Sequence, residues 1–169
     1  MTVEQSCTEE WHVVSHVSDW ITNTSGTRLE QVVLEESAQA GTILVSVKKT
    51  PDSIVSSPSW DTLQVGTHEH ARFGAKALRL NHSNTPNTII NIDSSKVDIV
   101  AAADIPAGEM LTFNYNTTEW AMDEPFDDWI TGQKVQGFLH LSKTEQKRLL
   151  TSNLVAQHIR ILAQNSTGD

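Results

Sequence analysis

Short apolar segments cut off by turn residues run through most of the chain, and helical spacing appears only after Ser142. A chain written this way folds mainly into small sheets, with few helices. Residues 28–34 and 42–47 are β-rich and are separated by Ala38-Gln39-Ala40-Gly41, which reads as strands around a glycine turn. Residues 50–59 contain Pro51 and Pro58 and read as loop, and residues 61–66 read as another short strand. Residues 88–92 and 97–101 flank Asp93-Ser94-Ser95-Lys96, a hairpin signal with a four-residue connection. Pro106-Ala107-Gly108 then turns the chain into residues 110–115, whose alternation suits a half-buried strand. Ser142, followed three residues later by Glu145, is a capping box. Leu150, Leu154 and Ile161, with Val155, Ile159 and Leu162, recur at near-helical spacing, with a break expected at Thr151-Ser152-Asn153. The expected class is mainly β, closed by a helical C-terminal cap.

At 169 residues the chain is the size of one domain, which should bury roughly 70% of its unfolded surface. We expect a single domain over residues 1–169, with a core at about 20–120 and the cap at about 121–164. No apolar run approaches the roughly 18 residues of a membrane span, so no membrane partner is expected. The first residues lack a basic and then apolar leader, which points to an intracellular location, cytoplasmic or nuclear. The single Cys7 cannot form an internal disulfide. A net charge of -9 opposes nonspecific nucleic-acid binding, which needs a positive field to displace counterions from phosphates.

Two islands carry the chemistry. The first is Asn81-His82-Ser83 with Pro86-Asn87 behind it; the second is Gly108-Glu109-Met110-Leu111-Thr112-Phe113-Asn114-Tyr115. An asparagine-rich turn stiffened by Pro86 can present amide and main-chain groups to a small polar ligand. Tyr115 is the chain's sole tyrosine, and a phenol that stays protonated at neutral pH can hold an amine in position. Together the islands resemble the core signature of the SET-domain methyltransferases. Weaker similarity covers most of residues 20–162, including the segments at Gly26, Leu63-Gln64-Val65-Gly66, Thr118-Glu119-Trp120 and Pro125-Phe126.

The resemblance implies a SET-like fold with a knot-like crossing, in which the Asn81 turn and the strand reaching Tyr115 meet near a central pocket. It implies S-adenosylmethionine as methyl donor, with Asn81 contacting it through the side chain, His82 mostly through the main chain, and Gly26 and Phe126 completing the site. Tyr115 is then the catalytic residue. Phe113 stands where the family has Phe or Tyr, and Phe there goes with room for more than one methyl group on a lysine. The implied acceptor is an amine, foremost a protein lysine in a peptide, or else a small molecule.

The departures are specific. One glycine, Gly26, stands where the family has Gly-x-Gly, and the cysteines that bind zinc after the core are absent, so no zinc is expected. Trp120, Phe126 and Trp129 could cover the pocket instead, or simply pack in the core. His68-Glu69-His70 lacks a third ligand and reads as a surface pair, so no metal site is expected. Two other functions stay open: a SET scaffold repurposed in small-molecule biosynthesis, with or without methyl transfer, and a silent module that binds a partner.

Overall fold

A computed structural model describes residues 9–11, 14–15, 20–22, 28–73 and 80–168. Its largest sheet has four antiparallel strands in the order Glu9–Trp11, Ile43–Lys48, Lys96–Ala101, Thr88–Ile92. The β-branched runs fix its register, setting Val97 opposite Val47 and Ile99 opposite Val45. The hairpin between the last two strands forms as expected. Its tip is held by the Asp93 carboxylate, which accepts hydrogen bonds from the Ser95 and Lys96 amides at 2.6 and 2.8 Å.

Smaller sheets surround this one. Ile54–Val55, His70–Ala71 and Leu63–Gln64 form a three-stranded antiparallel sheet. Antiparallel pairs also join Val14–Ser15 to Val33–Leu34, Trp20–Thr22 to Arg28–Glu30, and Phe126–Asp127 to Lys134–Val135. One pair is parallel: Asn81–His82 lies beside Thr112–Phe113. The two islands are therefore neighbouring strands.

Several segments differ from expectation for local reasons. Residues 28–34 are not one strand but two, with different partners. The proline-rich loop holds a 3-10 turn, Pro51–Ser53, with proline at its start, followed by the strand Ile54–Val55. The strand expected over residues 110–115 is only Thr112–Phe113, and Tyr115 opens a 3-10 turn, Tyr115–Thr117. Asn114 causes this, because its side-chain oxygen takes the Asn116 amide and draws the backbone out of the ladder.

Two helices close the chain, α1 (Lys143–Thr151) and α2 (Gln157–Ser166), broken where the sequence indicated. Ser142 caps α1 through the Glu145 amide. Arg160 reaches back from α2 to the Leu150 carbonyl at 2.7 Å, which fixes the angle between the helices. No helix among the described residues is long and apolar enough to cross a membrane.

Burial falls into two clusters. The larger gathers Leu34, Leu44, Leu80, Ile99 and Leu111 between the sheets; the smaller gathers Phe138, Leu149, Val155 and Ile159 under the helices. Ile92 packs against both. The cap is also stitched to the chain just after Tyr115. Ala156 N–H donates to Thr117 O, Phe138 N–H to Glu119 O, and the buried His158 ring to Thr118 O at 2.7 Å. Gly137 lets the cap pass so near: with φ +102°, a Cβ there would lie 2.7 Å from the Trp120 carbonyl oxygen.

Asn87 clips the islands together, accepting from Thr112 N–H at 2.9 Å and donating to Met110 O at 2.9 Å. Asn87→Ala strands both backbone groups and should lower stability by about 2–4 kcal/mol. Urea unfolding measures this, and a loss below about 0.5 kcal/mol would show that the clip is dispensable. Burial also holds His158 below the ordinary imidazole value of 6.5, so the folded ring is neutral near pH 7. Its contribution is fully present above pH 6.5 and is lost as pH falls toward the depressed folded value, since only the unfolded chain gains the proton. Melting temperature should therefore fall from pH 7 to 5 more steeply in the native chain than in His158→Gln.

Candidate active site

Parallel pairing sets Asn81 against Thr112 and His82 against Phe113, and the Ser83 amide extends the ladder to Phe113 O at 3.0 Å. The His82 ring is buried and fully employed. Its Nδ1 accepts the Tyr115 amide at 3.1 Å, and its Nε2 lies 3.2 Å from Asn84 Oδ1. A nitrogen that accepts an amide carries no proton, and one that faces a carbonyl oxygen must, so the ring is the neutral Nε2–H tautomer. Burial favours this state by depressing the ring's pKa. His82 thus acts as a fixed strut between the islands.

Tyr115 is held on several sides. Its hydroxyl donates to the Leu80 carbonyl at 2.6 Å, immediately before Asn81. Its ring lies 4.7 Å from Phe113, 5.2 Å from His82 and 5.7 Å from Phe126, the last two edge to face. Burial, followed by the nearby Glu119 charge, pushes the phenol's pKa well above its ordinary value. The phenol stays protonated throughout the physiological range.

A pocket opens on this tyrosine. Phe113, Tyr115 and Glu119 line it together with Trp60, Asp61, Leu63, Met122, Asp123 and Glu124, around a cavity of about 80 Å³. Trp60 is 72% exposed there, leaving its ring open to a visitor. Asp61 is paired with Arg72 at 2.7 Å, and that hydrogen bond keeps its carboxyl below the usual range. Glu119 behaves oppositely. Burial raises its carboxyl to about 7, although its Oε1 accepts the Gln64 amide at 2.9 Å.

The residues singled out in the sequence do not all face this space. Phe113 and Tyr115 do; Asn81, His82 and Phe126 are not among its described walls. Asn81 sits half-buried with its amide 3.5 Å from the Met110 sulfur, and Phe126 joins the aromatic group around Tyr115 and His82. Gly26 and Cys7 lie outside the described residues. Trp120 stacks on Phe138 at 5.7 Å, so it packs the cap. His70 is half-buried in a strand and His68 is exposed. Among the described residues no group of three or more His, Cys, Asp or Glu is placed to hold a metal.

Glu119 and the Trp60-Asp61 rim escaped the sequence reading. Trp60 had no periodic neighbour to mark it, and Glu119 lay in a segment noticed only for its resemblance. The spacing of four residues from Tyr115 was the available clue, because a single turn then places both on one wall.

Comparison with known proteins places the chain in a family. A protein of Aspergillus flavus named methyltransferase flvH is 23% identical over 104 residues, which is 62% of this chain and 58% of that protein. The chain spans somewhat more than half the length of that relative. The SET-domain family model matches residues 8–116, both islands included, and the chain belongs to the SET-domain family.

Proposed function

We propose that this protein transfers a methyl group from S-adenosylmethionine to an amine, with the side chain of a protein lysine as acceptor. The observation that carries this reading is the parallel pairing of the islands. It seats a permanently protonated phenol on the wall of an acidic pocket and ties that phenol to the carbonyl preceding Asn81. When bound, S-adenosylmethionine supplies a methyl group on a positively charged sulfur whose departure needs no acid.

The residues present fit such a donor. Aromatic faces at His82, Phe126 and Tyr115 suit a cationic sulfur. Three buried polar atoms lack a partner among the described residues, His70 Nδ1, Asn116 Oδ1 and Trp129 Nε1, and the last two, an acceptor and a donor, follow Tyr115 and Phe126 closely in sequence. In this reading Asn81 binds the donor through its amide, His82 through its main chain while its ring braces the strands, and Phe126 covers it. Gly26 would contribute backbone contact.

Tyr115 positions the acceptor. Its proton is engaged by Leu80 O, so the oxygen's lone pairs can receive an N–H of the amine and aim the nitrogen lone pair. Phe113 offers no hydroxyl to tether a methylated nitrogen, which supports more than one round of transfer. The acidic rim suits a cationic substrate and opposes phosphate-rich partners.

A small-molecule amine is the second reading, favoured by the missing zinc cysteines and the single opening glycine. Trials with a lysine peptide and with free amines, followed by mass spectrometry, separate the two. Calorimetry should register binding of S-adenosylmethionine, and no heat at millimolar ligand would remove methyl transfer altogether. Tyr115→Phe should lower kcat by about 10²-fold, as loss of one oriented hydroxyl commonly does, with little change in donor affinity. An unaltered kcat would end the role given to Tyr115.

A further inference from the structure

We propose that Glu119 is a catalytic residue of this site, the seat for the substrate ammonium and the acceptor of the proton it must lose before methylation. The proposal rests on the methyl-transfer reading above and adds to it the group that frees the amine.

Aliphatic amines enter at neutral pH as ammonium, because their pKa is about 10.4, and an ammonium nitrogen has no lone pair to give. Something in the pocket has to take a proton. Tyr115 cannot, since its phenol is already protonated and donates to Leu80 O at 2.6 Å. Asp61 is tied to Arg72 at 2.7 Å, which makes it a weak base. Asp123 and Glu124 are exposed, in water at the rim. Glu119 alone among the described acids on these walls is both recessed and rigidly placed.

Its main chain is fixed by Tyr115 O, which takes its amide at 2.9 Å, and by the Phe138 amide, which donates to its carbonyl at 2.8 Å. Its carboxyl is fixed by the Gln64 amide at 2.9 Å. The buried Gln64 is clamped in turn, donating to Gly66 O at 3.0 Å and accepting the Trp120 amide at 2.8 Å. Acid and phenol therefore stand one turn apart on a single wall. A carboxyl raised to about 7 by burial is also matched to proton exchange at physiological pH.

The step balances simply. One N–H bond of the ammonium breaks and an O–H bond forms on Glu119, giving a neutral amine and a neutral carboxyl. The nitrogen lone pair then forms the new N–C bond as the C–S bond breaks, with that electron pair remaining on sulfur. The carboxyl returns its proton to water at the pocket mouth. Other titratable or charged groups around Glu119 are Asp61 with Arg72, Asp123 and Glu124 on the walls, His70 on the strand beside Gln64, and His158 against Thr118 O, both rings held toward the neutral form by burial.

The test uses the full chain and N-acetyl-lysine methylamide as the probe amine. Without donor, carbon NMR of the native protein should show the Glu119 carboxyl titrating near pH 7, moving to lower pH when the probe is added. With donor, Glu119→Gln should lower kcat by about 10²- to 10⁴-fold and remove the acid limb of the kcat profile, while S-adenosylmethionine affinity stays within threefold. Glu119→Asp should keep that limb with partial activity. A carboxyl that ignores the probe, or a Glu119→Gln variant with native rate and profile, overturns the assignment. Should the Glu119→Gln variant fail to fold, the titration of the native chain decides alone. Loss of donor binding in the native chain would instead overturn the methyl-transfer reading, so the two failures are distinct.

Discussion

The fold turns on four residues of parallel strand, Asn81–His82 beside Thr112–Phe113. So short a ladder contributes few hydrogen bonds, and parallel pairs are slightly weaker per residue than antiparallel ones. It holds because side chains lock it from both ends. Asn87 spans Met110 and Thr112, Thr88 donates to Thr112 O at 2.7 Å, and the His82 ring takes the Tyr115 amide. A contact between residues about thirty positions apart closes a long loop, whose entropic cost must be met by many small polar bonds and the apolar mass around Leu80 and Leu111.

Polar side chains thus do the structural work that long strands do elsewhere. Asn87, Asn114, His82 and Gln64 each satisfy backbone groups that no ladder reaches, and His82 and Gln64 are almost wholly buried. A buried polar residue that meets its partners rigidifies its surroundings, because any shift leaves an unpaired group behind. The outcome is a phenol whose ring and hydroxyl are each constrained to one place.

Legibility in the sequence followed the range of the physics. The hairpin of Thr88–Ile92 and Lys96–Ala101, the Ser142 cap and the break between the helices arise from neighbours within a few residues, and each could be read. Phe113 and Tyr115 were singled out through the second island, and both line the pocket, but the 3-10 turn at Tyr115 was missed. Alternation in residues 110–115 outweighed the cap hidden in Asn114. Glu119 was invisible for another reason. Its character depends on burial and on Gln64, 55 residues away, and no local pattern reports either.

The C-terminal cap explains how such a wall is kept in place. In the residues after Tyr115, three successive carbonyls, those of Thr117, Thr118 and Glu119, each receive a hydrogen bond from the cap, through Ala156, His158 and Phe138. The helices bury Phe138, Leu149 and Ile159 against one another and so hold these donors as a rigid set. The fixed geometry of this segment comes from an apolar cluster and three hydrogen bonds. The position of Glu119 relative to Tyr115 is then set by the cap, and not by the exposed Trp60, Asp123 and Glu124 on the same pocket's walls.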